Sequence, residues 1–162
     1  MHIHLGANHQ GYELARELEH ALLAAGHEVH WHGSENYDDG DDYPHYTIAV
    51  ARSVVRDEDA GVPVLGISCG ASGCGEVITA NKVNGARAIT ATDAKVVVDG
   101  RAHADANVLV LGRLALTTGA ALTLVDAFLH TPFSGLLDDA RRIVNTAEFE
   151  TSNTVEGWTL TH

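Results

Sequence analysis

The sequence predicts a Rossmann-like, three-layer α/β/α sandwich around a five-stranded parallel sheet. Five short apolar runs, each typical of a buried strand, are separated by longer segments that carry apolar residues at helical spacing. Parallel strands need crossover connections, and helical crossovers cover both faces of the sheet, so this alternation favours a parallel α/β domain. The length of 162 residues, of which 45% are hydrophobic, suits one such domain.

The first half of the chain contains three of the strands and two helices. Leu14, Leu18 and Leu22 recur at every fourth position, which marks one buried helix face, and Gly26 is a typical helix stop. The aspartates of segment 34–42 are interpreted as a solvated acidic loop. In order, the predicted elements are strand 3–7, helix 12–25, strand 28–31, helix 46–56 and strand 62–67.

The second half continues the alternation and ends in two consecutive helices. Thr131-Pro132-Phe133 separates these two helices, because proline cannot continue a helix. In order, the predicted elements are helix 75–82, strand 86–91, helix 93–101, strand 108–111, helix 117–129 and helix 136–150. Residues 1–150 are the predicted domain, and the polar residues 151–162 are expected to form a loose tail or an arm that reaches a partner subunit.

The charge balance argues against nucleic acid and membrane partners. Ten Lys and Arg residues stand against 22 Asp and Glu residues, a formal net charge of -12, whereas phosphate backbones and anionic lipids attract basic surfaces. No apolar run approaches the ~18 residues needed to cross a bilayer. The first residues also lack the basic region of a signal peptide, so a cytoplasmic location is expected.

The cysteines and histidines match no standard metal or disulfide pattern. Cys69 and Cys74 have no second pair, so they are expected to be free thiols. The eleven histidines form neither an HExxH motif nor a zinc-finger spacing. Most of them are therefore expected to be surface or packing residues, and no metal site is predicted.

Ligand sites in such sheets lie beyond the carboxyl ends of the strands, which directs attention to the loop after the third strand. The Gly70 and Gly75 spacing resembles a nucleotide P-loop, but Glu76 and Val77 stand where that motif needs Lys and Ser or Thr. The dinucleotide motif Gly-x-Gly-x-x-Gly fails as well, because Ile78 occupies its last position. Both nucleotide-binding motifs are thus excluded.

The loop that remains combines small residues with one carboxylate. Backbone amides in such a loop can hold an anion, and Glu76 beside them can remove a proton from a carbon next to a carbonyl group. On spacing alone, the favoured interpretation is that Glu76 only caps the helix dipole. The loop after the first strand offers Asn8 and His9, either as a polar pair at the same edge or as a helix cap and a surface histidine.

Four motifs in one order resemble the ribose-5-phosphate isomerase B family, which includes the galactose-6-phosphate isomerase subunits. The similarity extends from about residue 2 to residue 150. The motifs are Gly6-Ala7-Asn8-His9-Gln10-Gly11-Tyr12-Glu13-Leu14, Asp42-Tyr43-Pro44-His45-Tyr46, Gly73-Cys74-Gly75-Glu76 leading to Ala80-Asn81-Lys82-Val83, and Arg101-Ala102-His103 before Asn107-Val108-Leu109.

The resemblance implies an aldose–ketose isomerase that works through a cis-enediol without a metal or organic cofactor. It implies a homodimer, or a dimer of dimers, with the active site at the subunit interface. One branch of the family uses a cysteine base at the position of Gly70, and the other uses a glutamate that matches Glu76. This chain resembles the glutamate branch. His103 of the neighbouring subunit would assist ring opening, and Ser72 would help to form the anion hole.

The resemblance also implies a set of substrate contacts, some of which depart from the family pattern. The implied contacts are Asn8, His9, Tyr46, Gly70, Ala71, Gly73, Gly75, Asn81, Arg113 and Arg142. Asn8 replaces an aspartate, and Ala104 replaces the asparagine after His103.

Two further departures concern the groups that would hold a phosphate. Arg113 lies one position ahead of the usual phosphate-binding arginine, whose register falls on Leu114, and Asp138 replaces another arginine. An aspartate near a phosphate exchanges attraction for repulsion. A sugar phosphate such as ribose 5-phosphate is the expected substrate. An unphosphorylated or modified sugar, or a silent sugar-binding paralogue, stays an alternative.

Overall fold

The computed structural model describes residues 1–155, and its elements follow the predicted alternation. The strands are β1 (His2–Ala7), β2 (Glu28–Trp31), β3 (Val64–Gly70), β4 (Ala88–Thr90) and β5 (Val108–Gly112). The helices are α1 (Tyr12–Ala24), α2 (Tyr43–Asp59), α3 (Cys74–Ala80), α4 (Ala94–Ala104), α5 (Thr118–His130) and α6 (Leu137–Ser152). Within residues 1–155, no helix is long and apolar enough to cross a membrane.

All five strands form one parallel sheet in the order β2-β1-β3-β5-β4. The predicted Rossmann-like α/β sandwich is therefore confirmed. Ala7 pairs with Cys69, and Gly70 pairs with Gly112, so β1, β3 and β5 end side by side. The loops that follow these three strands consequently meet at one edge, which is called the carboxyl edge below.

Two apolar cores lie on opposite faces of the sheet because successive strand residues point to opposite sides. On β5, Leu109 and Leu111 face the core shared with α1, α4 and α5, while Val108 and Val110 face the core shared with α2. All four side chains are fully buried. The near-continuous apolar runs that predicted the strands are the consequence of this two-sided burial.

Several helix boundaries differ from the predicted ones for local reasons. Helix α2 begins at Tyr43, three residues earlier than predicted, because Pro44 fits the first turn of a helix. Helix α4 continues to Ala104 and ends where Asp105 adopts a left-handed conformation, with φ of 46°. Arg101 supports this last turn through a 2.9 Å ion pair with Asp105. His103 is therefore helical, whereas the predicted helix ends at residue 101.

The segment predicted as a tail is helical at its start. Helix α6 ends at Ser152, where Asn153 takes a left-handed conformation that closes the helix. Residues 156–162 lie outside the described residues, so the expectation of a loose tail or a partner-reaching arm stays a prediction.

The buried face of α1 allows a direct test of how this helix packs against the sheet. Leu18 is fully buried, and we expect Leu18→Ala to lower the free energy of unfolding by about 2 to 5 kcal/mol, because it removes buried surface and leaves a cavity. Leu23 on the same helix is 51% exposed, so Leu23→Ala should cost about 0.5 kcal/mol or less. Urea denaturation of both variants measures the difference, and equal losses would contradict the assigned helix face.

Candidate active site at the carboxyl edge

The loops after β1, β3 and β5 are in direct backbone contact at the carboxyl edge. The amide of Arg113 donates to the carbonyl of Gly70, and the amide of Leu114 donates to the carbonyl of Ala71, each at 3.0 Å. A Cβ atom at Gly11 would overlap the Cys69 carbonyl, so the β1 loop also touches the end of β3. The loop after β3 is thereby fixed from both sides.

Glu76 lies in the first turn of α3 and folds back over the end of β3. Glu76 as a whole is 4% exposed, and its carboxylate occupies the space where a Cβ atom at Gly70 would lie. Within residues 1–155, the Glu76 carboxylate accepts no hydrogen bond and forms no ion pair. Its lone pairs are thus available to a ligand.

The position of Glu76 in the first turn of α3 also suits the alternative role of stabilising the helix dipole, although its side chain accepts no hydrogen bond from an amide. The amide of Cys74 is instead capped by the Ser72 hydroxyl oxygen at 3.2 Å. Gly73 adopts a left-handed conformation, with φ of 81°, and the Tyr43 ring packs over the Cα atom of Gly75. Within the described residues, the amides of Gly73 and Gly75 donate to no protein acceptor, so they are free to meet an anion.

A chain of hydrogen bonds organises the β1 loop. The backbone amide and Nδ1 of His9 both lie 2.8 Å from Asp41 Oδ1, and Nε2 of His9 lies 2.7 Å from Nε2 of Gln10. Arg113 donates to Oε1 of Gln10 at 3.3 Å. In this network His9 carries its proton on Nδ1 and accepts from Gln10 through Nε2.

The acidic loop is only partly the solvated segment that the sequence suggested. The Asp41 side chain is 7% exposed because it binds His9, while Asp38 stays exposed and accepts from the amide of Gly40. Burial raises the pKa of Tyr46, and the nearby Asp41 carboxylate raises it further. Asp41 and Gln10 are functional candidates that the sequence analysis missed.

The two asparagines among the predicted site residues differ in their hydrogen bonding. The Asn8 residue is 6% exposed, and its Oδ1 atom has no hydrogen-bond partner within residues 1–155. Asn81 binds backbone groups: its amide donates to the carbonyls of Val77 and Ala88, and its oxygen accepts from the amide of Ala88. The structure therefore gives Asn81 the task of joining α3 to β4, at the opposite edge from Glu76.

His103 and Arg142 form a second cluster around a buried aspartate. Asp139 lies 2.8 Å from both His103 Nδ1 and Arg142 Nη1, and it accepts a 3.1 Å hydrogen bond from Ser134. The hydrogen bond with Asp139 raises the pKa of His103, and the same bond lowers the pKa of Asp139. The neighbouring Asp138 is exposed and pairs with Arg141 at 3.2 Å.

The fold keeps this second cluster away from Glu76 in the same chain. Helix α4 starts after β4, at the carboxyl edge, and ends before β5 begins, at the amino edge of the sheet. His103 lies in its last turn, whereas Glu76 lies at the carboxyl edge. The predicted site residues consequently form two groups at opposite edges of one chain.

The cysteines differ sharply in their surroundings. Cys69 is fully buried in the core with α1, and both this burial and the nearby Glu76 carboxylate raise its pKa. Cys74 is exposed. Both are free thiols, as the sequence predicted, and Cys69 has the environment of an unreactive packing residue.

Fold and site together define a Rossmann-like α/β protein with a candidate small-molecule site at the carboxyl edge, where an unpaired carboxylate and free backbone amides are found. The profile of the Ribose/Galactose Isomerase family matches residues 3–146, and the chain belongs to this family.

Known relatives resemble the chain over most of its length. Ribose-5-phosphate isomerase B of Mycobacterium tuberculosis is 41% identical over 150 residues, which cover 93% of this chain and 90% of the relative. The Escherichia coli protein of the same name is 34% identical over 134 residues, covering 82% of this chain and 86% of the relative.

Solved structures of ribose-5-phosphate isomerase B share the fold. The protein from Clostridium thermocellum has a TM-score of 0.86 and 33% identity, covering 95% of this chain and 100% of that chain. The protein from Mycoplasma genitalium, solved with bound ribulose-5-phosphate, has a TM-score of 0.87 and 30% identity, covering 93% of this chain and 97% of that chain.

Proposed function

We propose that the protein is an aldose–ketose isomerase of a small sugar phosphate, such as ribose 5-phosphate, with Glu76 as the base. The observation that carries this proposal is the nearly buried Glu76 carboxylate, which lies over Gly70 and has no hydrogen bond or ion pair within residues 1–155, at the same helix start as the free amides of Gly73 and Gly75. The names of the relatives, and the ribulose-5-phosphate bound to one of them, support the substrate class.

The proposed reaction moves one proton between adjacent carbons. Glu76 removes the proton from C2 of the open-chain aldose, and the electrons of that bond form a C1–C2 double bond while the carbonyl oxygen takes up charge. The amides of Gly73 and Gly75, together with the Ser72 hydroxyl, stabilise this oxygen. Returning the carbon-bound proton to C1 and moving the hydroxyl proton from O2 to O1 yields the ketose, so the overall reaction is an isomerisation.

A second chain completes the proposed site. His103 lies at the opposite edge from Glu76 in one protomer, so it can serve the reaction only in the site of a partner. The hydrogen bond with Asp139 favours the protonated imidazole, which can donate a proton to the ring oxygen as the sugar opens. A homodimer is therefore part of the proposal, and a cytoplasmic location is consistent with this metabolic role.

The candidate phosphate ligands are His9 and Arg113 of one protomer and Arg142 of the other. Their surroundings leave a second candidate substrate, an unphosphorylated or modified sugar. Asp138 lies on the same helix as Arg142, and Leu114, at the usual arginine register, is 70% exposed and apolar. A silent sugar-binding paralogue is less well supported, because Glu76 keeps an unpaired carboxylate.

The base assignment is tested by Glu76→Gln. The amide keeps the shape of the side chain but cannot accept a proton, so we expect kcat to fall by a factor of about 10² to 10⁴ while sugar binding is largely kept. Entry of solvent deuterium at C1 or C2, measured by NMR over a small panel of sugars, reports the enediol directly.

Cysteine variants are the matched controls for this experiment. Cys69→Ala and Cys74→Ala should both keep activity, since the Cys69 thiol is buried and its pKa is raised. An inactive Cys69→Ala together with an active Glu76→Gln would contradict the assignment and indicate the cysteine mechanism.

The shared site is tested by complementation between two inactive variants. When Glu76→Gln and His103→Ala chains are mixed and refolded together, half of the dimers should be mixed, and each mixed dimer contains one intact site. We expect about a quarter of the wild-type activity from this arrangement. Each variant refolded alone is the control. Verified mixed dimers without activity would place both residues in the site of one protomer.

The variant Asp138→Arg tests whether the site prefers a phosphorylated sugar. We expect the wild-type preference for ribose 5-phosphate over ribose to be weak for this family and to rise severalfold in the variant, because a repulsive charge is replaced by an attractive one. The ratio of the two kcat/KM values measures this preference. Asp59→Arg, at the exposed end of α2, is the charge-matched control. A strong preference that Asp138→Arg leaves unchanged would mean that Asp138 does not face the substrate.

A further inference from the structure

Four histidines and a glutamate line one side of the strand pair β1 and β2. His2 is in register with Glu28, and His4 is in register with His30, so their side chains share a face of the parallel pair. The same face carries the core residues of α2, whose Asp57 reaches the group. This cluster lies away from the loops around Glu76 and takes no part in the proposed isomerisation.

Three of these side chains direct ligand atoms toward one point. His2 Nε2 lies 3.2 Å from Glu28 Oε2, and His30 Nε2 lies 3.2 Å from Glu28 Oε1. One ligand atom from each of the three residues lies within 4.8 Å of the other two. Zn²⁺ binds imidazole nitrogen and carboxylate oxygen at about 2.0 to 2.2 Å, so small side-chain rotations bring all three atoms to a shared ion.

Ion pairing alone is a weak account of this arrangement. The His2, His30 and Glu28 side chains are 35%, 38% and 62% exposed, and exposed pairs of this kind contribute about 0 to 1 kcal/mol. Two imidazole nitrogens, His2 Nδ1 and His30 Nε2, are buried without a hydrogen-bond partner within residues 1–155. His30 Nε2 lies 3.2 Å from Glu28 Oε1 without forming a hydrogen bond to it, and a cation between the two atoms would coordinate both.

Other side chains of the cluster pack around the His2 and His30 rings. His2 Nδ1 lies 3.8 Å from Asp57 Oδ2, too far for a hydrogen bond, so the ring must shift toward Asp57 before it can donate to this carboxylate as metal-binding histidines commonly do. The His30 ring lies between those of His4 and His2, at centroid distances of 4.9 and 5.2 Å. Asp57 also binds His4 at 3.0 Å, and His4 binds His32 at 2.7 Å.

We propose that His2, Glu28 and His30 bind one Zn²⁺ ion per chain. Two imidazoles and one carboxylate are a borderline-soft donor set that suits Zn²⁺ better than Mg²⁺ or Ca²⁺, and solvent can supply the remaining position. The ion would join the edge strand β2 to β1 at the starts of both strands. Its role is structural, because the cluster lies near the amino ends of the strands, whereas Glu76 lies beyond their carboxyl ends.

The test uses the full chain without a histidine tag, stripped of metal with a chelator and then dialysed. Isothermal titration with Zn²⁺ at neutral pH should give one site per chain, and Zn²⁺ should raise the melting temperature. Glu28→Gln and His30→Gln should each weaken binding by about tenfold or more. His20→Gln, an exposed histidine on α1, is the matched control and should bind as the wild type does.

The outcomes separate this site from other histidines and from misfolding. Glu28 is 62% exposed, so Glu28→Gln should fold normally, and its isomerase activity without metal should match the wild type. Wild-type affinity in both Glu28→Gln and His30→Gln would overturn the proposal. So would binding that is lost in His32→Gln but kept in His30→Gln, or the absence of saturable binding to the wild type.

Discussion

The site depends on the close backbone approach at the end of β3. Gly70 has no side chain, so the Glu76 carboxylate lies directly over its Cα atom. Gly112, its neighbour on β5, likewise leaves room for the carbonyl group of Ser72. Any larger residue at either position would push the β3 loop away from the sheet. The position of the carboxylate is thus fixed by backbone packing, and no hydrogen bond to its side chain is needed.

The topology also explains why two of the residues proposed for catalysis lie far apart in one chain. In a parallel sheet every helix that follows a strand runs from the carboxyl edge back to the amino edge. A residue in the first turn of such a helix, such as Glu76, and one in the last turn, such as His103, are necessarily separated by the height of the sheet. Assembly with a second copy is the simplest way to bring the two groups together.

The sequence predicted the fold and the main loops well because their signals are local. Apolar runs and the spacing of Leu14, Leu18 and Leu22 can be recognised from residues that are close along the chain. The same holds for Glu76, because it follows the third strand within a few residues. The partners of site residues were missed because they are distant in sequence: Asp41 meets His9, and Asp139 meets His103. The histidine cluster escaped notice for the same reason, since only the register of β1 with β2 brings His2 and His30 to Glu28.

The hydrogen bonds of Gln10 have a consequence for how a ligand enters. Its amide group occupies both His9 Nε2 and a guanidinium nitrogen of Arg113, two groups that a phosphate would need. If His9 and Arg113 bind a phosphate as proposed, the incoming anion would have to replace the hydrogen bonds that Gln10 makes to them. The net affinity for such an anion would then be the difference between two sets of hydrogen bonds, while Gln10 keeps the imidazole and guanidinium groups oriented.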